Sequence, residues 1–467
     1  MKKGTYNRFW RWHFFGALFM APLLITLTLS GIGSLFYNDV ENVAYKDLFF
    51  GTSEETSQLT IDEGISVVKQ ENEGFEVSKI MTMDEPYNTR LKLKSESGEE
   101  KYVFLDDHNE IVGSQNPKYT YANIMRNVHS SLFVGGTVVN YLVELAACWA
   151  IFLLFSGLYM TFKSRALKKP KKSTRRLQFK RIHALIGTII NIPMIILIFT
   201  GLPWSAFMGN FIYTASQEHP SIGMPLLKQQ PPTSDMSEIP WATRKEEAPT
   251  SEKPDPHAHH GGNGDISGID MGHNGISVEE LMGKVQDERI SKPYSIVYPF
   301  SEDGVFTVSK GSNTGVTGLD VHPSEEMTSY FDQYSGNLIS KVGYGEYGIL
   351  AKWFTWGIPL HEGHLFGLPN KIINVIVCLA FLFLIFYGFN MWLSRKRKGN
   401  ISAPPKTTSK ISIGFVVLMV ILGVIMPLFG IHCWLYLRSK GFCIWFIVGK
   451  VMRGLSISEN RRSYLES

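Results

Sequence analysis

Four histidines, His13, His129, His183 and His361, each lie just before or at the start of a long apolar run, and the residues around them repeat. From His13 the chain passes Gly16 and Pro22 to reach Ser30-Gly31. From His183 it passes Gly187 and Pro193 to reach Thr200-Gly201, with the same spacing from imidazole to final glycine. His129 leads to Gly135 and then Gly157-Leu-Tyr-Met160; His361 leads, at the same first spacing, to Gly367 and then Gly388-Phe-Asn-Met391. Neutral imidazoles from different helices, facing one another across a bundle, are axial ligands for haem iron. Helix N-termini, where these histidines are expected, disfavour imidazolium and attract carboxylates such as haem propionates. Arg11 and Arg181 precede the inner pair by two residues and Arg126 precedes His129 by three, so all three are candidate propionate partners. Gly16, Gly31, Gly157, Gly187 and Gly201 would let a flat macrocycle approach the backbone. No Cys-x-x-Cys-His occurs, so the haem would be non-covalent, b-type. His364 competes with His361, because His-Glu-Gly-His puts both on one helical face, and the glycine spacing favours His361. The same tetrapeptide falls one residue short of the zincin spacing, which argues against a metalloprotease.

The elements that must position these side chains are apolar runs of roughly 20 residues, the length that crosses a bilayer. Five occur, at 14–37, 139–162, 182–208, 370–393 and 411–433. The first is longer than a signal h-region and lacks a cleavage site, so it reads as an uncleaved span. The loop 163–181 carries ten basic and no acidic residues, and Arg-Lys-Arg-Lys follows the fourth run at 395–398; both belong inside by the positive-inside rule. His13 and His183 therefore open spans at the cytoplasmic face, and His129 and His361 precede spans that begin at the outer face. Spans one and two look duplicated as spans three and four, a two-fold-related four-helix bundle with an imidazole pair at each end.

The 467 residues, 44% hydrophobic and 19% charged, fit this mixture of spans and soluble segments in a lipid bilayer. A formal charge of +4, from 46 Lys and Arg against 42 Asp and Glu, gives no reason to expect nucleic acid as a partner. Cysteines 148, 378, 433 and 443 fall in or beside apolar segments, which argues against a disulfide framework or zinc site. Glu144, the one acidic residue inside a span, is expected to hydrogen-bond a ligand, carry a proton or lie at the interface.

The outer segments divide the chain further. Residues 1–37 hold the cytoplasmic N-terminus and span one, 38–137 a first outer domain, 138–162 span two, 163–181 the basic loop and 182–208 span three. Residues 209–275 form an outer linker, 276–369 a second outer domain with a pre-span segment, 370–394 span four, 395–410 a second basic loop, 411–433 span five and 434–467 an irregular tail whose side is undecided. In the first domain a helix at 61–70 precedes strand-like Glu76–Met83, Arg90–Lys94 and Glu100–Asp107; in the second a helix at 277–288 precedes 294–300, 304–310 and 327–342 with a Ser335-Gly336 turn. One helix on a small antiparallel sheet, used twice, is the economical reading. The linker contains His257, His259, His260 and His273, which would bind copper or zinc loosely or serve only as solvated spacer.

Both outer domains resemble the PepSY domain, with Phe104–Ile111 and Tyr330–Leu338 matching its aromatic-Asp-turn strand, and the four His-bearing spans resemble the PepSY-associated transmembrane family. The likeness covers about residues 5–395 and is most specific in the spans. It implies an all-α membrane bundle, a four-helix core built as a two-fold repeat plus at least one C-terminal span, with two extracytoplasmic α+β domains. That family includes iron-regulated membrane proteins and di-haem ferric-siderophore reductases. By resemblance His13 and His183 would bind an inner b-type haem and His129 and His361 an outer one, passing electrons outward to a ferric siderophore, another Fe(III) chelate or a different outer acceptor in iron acquisition. Reduction would weaken iron's hold on hard oxygen donors. The inside loops are too short for a flavin domain and no Gly-x-Gly-x-x-Gly opens a βαβ unit, so the donor would be quinol or a cytoplasmic reductase. Two other readings stand beside it: a haem-free PepSY scaffold acting on an outer partner such as a peptidase, and a metal-handling protein served by the linker histidines.

Overall fold

A computed structural model describes residues 3–54, 57–169, 174–219, 221–223, 275–299, 304–395, 402–405 and 413–438. The chain opens with α1 (Lys3–Ser34), α2 (Tyr37–Ala44), α3 (Lys46–Phe49) and α4 (Ile61–Glu71). Strands β1 (Phe75–Thr82), β2 (Thr89–Ser95), β3 (Glu100–Leu105) and β4 (Ile111–Gln115) follow, then α5 (Tyr121–Ser131) and α6 (Thr137–Ser164). Next come α7 (Arg175–Ile189), α8 (Asn191–Gly201), α9 (Ala206–Glu218) and α10 (Val278–Asp287). Strands β5 (Tyr294–Val297), β6 (Val305–Lys310), β7 (Met327–Asp332) and β8 (Leu338–Gly343) precede α11 (Ile349–Glu362), α12 (Leu368–Leu393), α13 (Ile413–Ile425) and α14 (Pro427–Arg438). These elements fall into a helical unit, Met1–Ile32, Asn127–Tyr213 and Leu368–Ser467, and a mixed unit, Gly33–Arg126 and Thr214–Gly367.

In the helical unit Gly4–Ser34, Thr137–Ser164 and Leu368–Leu393 are each long and apolar enough to cross a membrane, and α7 with α8, bent by 55° at their break, passes the same test only when the two are taken together. Pro193 lies in the first turn of α8, where a missing N–H costs little, and the buried Asn191 side chain donates to Leu154 O of α6 at 3.1 Å, pinning the break. Pro22 occupies the related place in α1, which stays one helix. The apolar run at 411–433 is not one helix. It breaks at Met426 before Pro427, which cannot donate to a carbonyl one turn earlier, into α13 and α14. A thirteen-residue α13 spans only about 20 Å, short of an apolar bilayer core. Phe415, Leu422, Phe429 and Cys433 of this pair pack on Phe9, Trp149 and Phe152.

The mixed unit repeats a helix-plus-sheet pattern, as its amphipathic helices and alternating strands lead one to expect. Thr60 caps α4 by a reciprocal box with Glu63, and Ser277 caps α10 by accepting from Glu280 N at 3.1 Å. The eight strands form one antiparallel sheet, β4-β3-β2-β1-β5-β6-β7-β8, in which β1 pairs with β5 through Ile80 opposite Ile296. The two halves thus share a sheet and a core: Ile65 and Val68 of α4 and Leu281 and Val285 of α10 cover Ile80, Leu91, Ile296 and Val308. Asp62 in α4 bridges the halves directly, accepting from Val278 N at 2.9 Å and Glu279 N at 3.0 Å at the start of α10.

Candidate cofactor site: the inner histidine pair

His13 projects from α1 and His183 from α7, both in the helical unit. Their ring centroids lie 6.4 Å apart with the planes crossed at 82°. Each ring is fastened to the facing helix through Nδ1: His13 Nδ1 lies 2.8 Å from Ser156 Oγ of α6, and His183 Nδ1 lies 2.9 Å from Leu384 O of α12. A carbonyl can only accept, so His183 carries its proton on Nδ1 and keeps a lone pair on Nε2. Each Cε1 rests on a glycine of the same helix: a β-carbon on Gly157 would stand 3.3 Å from His13 Cε1, and one on Gly388 3.2 Å from His183 Cε1. The repeat seen as Gly157-to-Met160 and Gly388-to-Met391 is therefore a pair of imidazole seats.

A third seat holds His129 of α5. Its Nδ1 lies 3.1 Å from Ser30 Oγ, and a β-carbon on Gly31 would stand 3.2 Å from its Cε1. Sequence spacing identified the glycines but gave them a different task, flanking a macrocycle. Here Gly31 and Gly157 receive imidazoles, Gly16 receives the Trp149 indole and Gly187 the Leu384 side chain. Ser156 and the Leu384 carbonyl went unnoticed in the sequence; the serine before Gly157 was the one available signal.

The expected helix N-terminal field is absent from these residues. His13 lies ten residues into α1 and His183 eight residues into α7, where the basic, helix-favouring residues 175–181 extend that helix backwards. His129 and His361 occupy the last turns of α5 and α11, where the dipole has the opposite sign. Of the arginines expected to meet propionates, Arg11 donates to Pro404 O at 2.6 Å and lies over Phe15, and Arg181 donates to Leu167 O at 3.1 Å. Arg126 faces the Glu362 carboxylate at 3.9 Å in the mixed unit. Burial pushes the Glu362 carboxyl up and the Arg126 charge opposes it. Glu144, 1% exposed, accepts from Phe207 N at 2.8 Å and Met208 N at 3.2 Å, holding the first turn of α9 to α6. Its place is a helix cap. In the mixed unit His361 belongs to α11, while His364 lies past Gly363, whose φ of +81° ends that helix. His364 Nε2 donates to Ser312 O at 3.1 Å, so the nitrogen that His183 keeps open is the one His364 uses. His257, His259, His260 and His273 of the linker lie outside the described residues.

A family model described as the PepSY-associated TM region matches residues 10–395. The chain belongs to this family. It is a multi-pass membrane protein, and the match takes in His13, His129, His183 and His361 and all eight strands. No curated protein matches it.

His13 and His183 would be the residues to hold a metal between two imidazoles, and their ring centroids, 6.4 Å apart, leave room for one bonded to a nitrogen of each at about 2 Å. The second nitrogen of a ligating imidazole is held by a hydrogen bond in such sites, as Nδ1 is on both rings.

Proposed function

We propose that this chain is a di-haem electron carrier of the membrane that reduces an extracytoplasmic acceptor, a ferric siderophore or another Fe(III) chelate. The observation that carries the reading is the His13–His183 pair, 6.4 Å apart with both Nδ1 atoms engaged on neighbouring helices. Haem bound there supplies one-electron chemistry in the apolar interior. The chain's own part is to hold two imidazoles in fixed orientation from α1 and α7, with their anchors on α6 and α12. The outer haem is assigned to His129 and His361 by resemblance. In support, His129 repeats the imidazole seat of His13, and His364, with Nε2 committed to Ser312, is the weaker substitute for His361. Electrons enter from quinol or a cytoplasmic reductase.

The test is the absorption spectrum of the purified protein, oxidised and dithionite-reduced, with haem counted per chain. Two low-spin b-type haems are expected, with one lost in His13→Ala or His183→Ala and the other in His129→Ala. A colourless protein from haem-sufficient cells overturns the reading and leaves a PepSY scaffold acting on an outer protein.

A further inference from the structure

We propose that the basic connection between α6 and α7 is the docking face of a soluble, acidic one-electron donor protein that carries its own flavin or iron–sulfur cluster. The proposal rests on the function proposed above, for which it names the donor. Ten basic and no acidic residues lie in 163–181. Arg165, Lys168 and Lys169, past the end of α6, and Arg175 and Arg176, in the first turn of α7, are all exposed. Their charge has no counterweight in the helical unit. Glu144 is the one acidic residue among the described residues of that unit. It lies about 28 Å along α6 from Lys163 and is engaged with the first turn of α9.

The placement favours a protein over a lipid. The apolar run that follows begins at residue 182, so Arg175 stands about 10 Å before it along the helix axis, against about 5–8 Å for one headgroup layer. Insertion into the membrane uses basic charge too, but it does not require that charge to stand clear of the headgroups on the helix that carries His183. By the positive-inside rule this end would face the cytoplasm. From Arg175 to His183 is about 12 Å along α7, so a partner held at the first turn brings its cofactor close to the inner pair. The chemistry narrows the partner further. A haem accepts single electrons. A nicotinamide gives hydride, which needs a flavin that the inside loops are too short to hold, and a quinol is neutral and enters from the lipid, so it gains nothing from this charge. A carboxylate-rich protein gains a steered encounter. One electron would pass from the donor's flavin or cluster, which is oxidised, to haem iron held by His13 and His183, which is reduced from Fe(III) to Fe(II); no bond forms or breaks.

Flavodoxin, a small acidic protein whose flavin passes single electrons, is the probe, and the full-length chain in phosphatidylcholine nanodiscs is the target. Association is expected at a rate that falls tenfold or more between about 20 and 300 mM NaCl. Carbodiimide cross-links from flavodoxin carboxylates should fall on Lys168 and Lys169 of the unaltered chain, a result that needs no variant to fold. Lys168→Gln, Lys169→Gln, Arg175→Gln and Arg176→Gln together should slow association at low salt by about tenfold and leave the thermal midpoint unchanged. No association at low salt, association that ignores salt or the four substitutions, or cross-links confined to other lysines overturns the proposal. Binding that disappears when phosphatidylglycerol is added to the discs makes the headgroups the occupant and overturns it too. Reduced flavodoxin that binds yet leaves the haem oxidised, while a quinol reduces it, overturns the donor assignment. A colourless protein overturns the proposed function and not the docking face, which association and cross-links decide either way.

Discussion

Glu326 makes the mixed unit sensitive to pH. It is 6% exposed and accepts from Ser312 N at 3.2 Å, Ser312 Oγ at 2.7 Å and Thr355 Oγ1 at 3.4 Å. Burial outweighs these bonds and pushes its carboxyl up from the ordinary range. A group whose folded value exceeds its unfolded one adds stability that is complete below the unfolded value and is lost as pH rises through the folded one. The thermal midpoint of the mixed unit is therefore expected to fall as pH rises from the usual carboxylate range towards neutrality. Glu326→Gln can still accept from Ser312 and should flatten that dependence; parallel wild-type and variant profiles would refute it. At this scale the sequence was informative about residue type and mute about partners. His13 and His183 stand out by spacing, but their anchors lie 143 and 201 residues away along the chain, a separation no periodicity encodes.

Elements show the same division. The helices at 61–70 and 277–288 were legible because caps are local signals, and their ends moved by one residue; alternation gave most of the strands, but the one read at 294–300 ends at Val297 and β4 was not read. The pairing of β1 with β5 was not legible, because alternation tells which face of a strand is apolar and not which strand lies beside it. Asp62 reads in sequence as a first-turn acidic residue of α4, yet it takes two backbone N–H groups of α10. Asp62→Ala leaves buried donors unpaired and should cost about 2 kcal/mol, measured by denaturant unfolding; a change within error would mean that water replaces the carboxylate. Glu144 was conspicuous as an acid in a span, but its role as the cap of α9 depends on a chain turn after Trp204 that composition does not announce. Glu144→Ala should destabilise the helical unit by about 1–3 kcal/mol while sparing the His13–His183 seats. A variant of full stability that lacks the inner haem would make Glu144 a ligand-supporting group instead.

For the whole molecule, charge asymmetry gives the orientation to be expected in the membrane. By the positive-inside rule the ten basic residues in 163–181 and four more at 395–398 would face the cytoplasm, with the ends of α6 and α12 and the starts of α1 and α7. On that expectation His13 and His183 would be nearest the cytoplasm and the two chain segments of the mixed unit outside. Cysteine labelling checks it with little interference, since Cys148, Cys378 and Cys433 are buried and Cys443 is replaced by Ser. Ser97, exposed beside Gly98 in the β2–β3 turn, and Lys169, exposed in the basic loop, make the two probes. In intact cells a membrane-impermeant maleimide should modify Ser97→Cys fully and Lys169→Cys only after permeabilisation. The opposite pattern would invert the protein and put the inner pair on the outer side, where a quinol or cytoplasmic donor could not reach it first. Equal labelling of both probes in sealed cells would mean that the chain inserts in two orientations, and a one-way carrier would then be untenable whatever cofactor it holds.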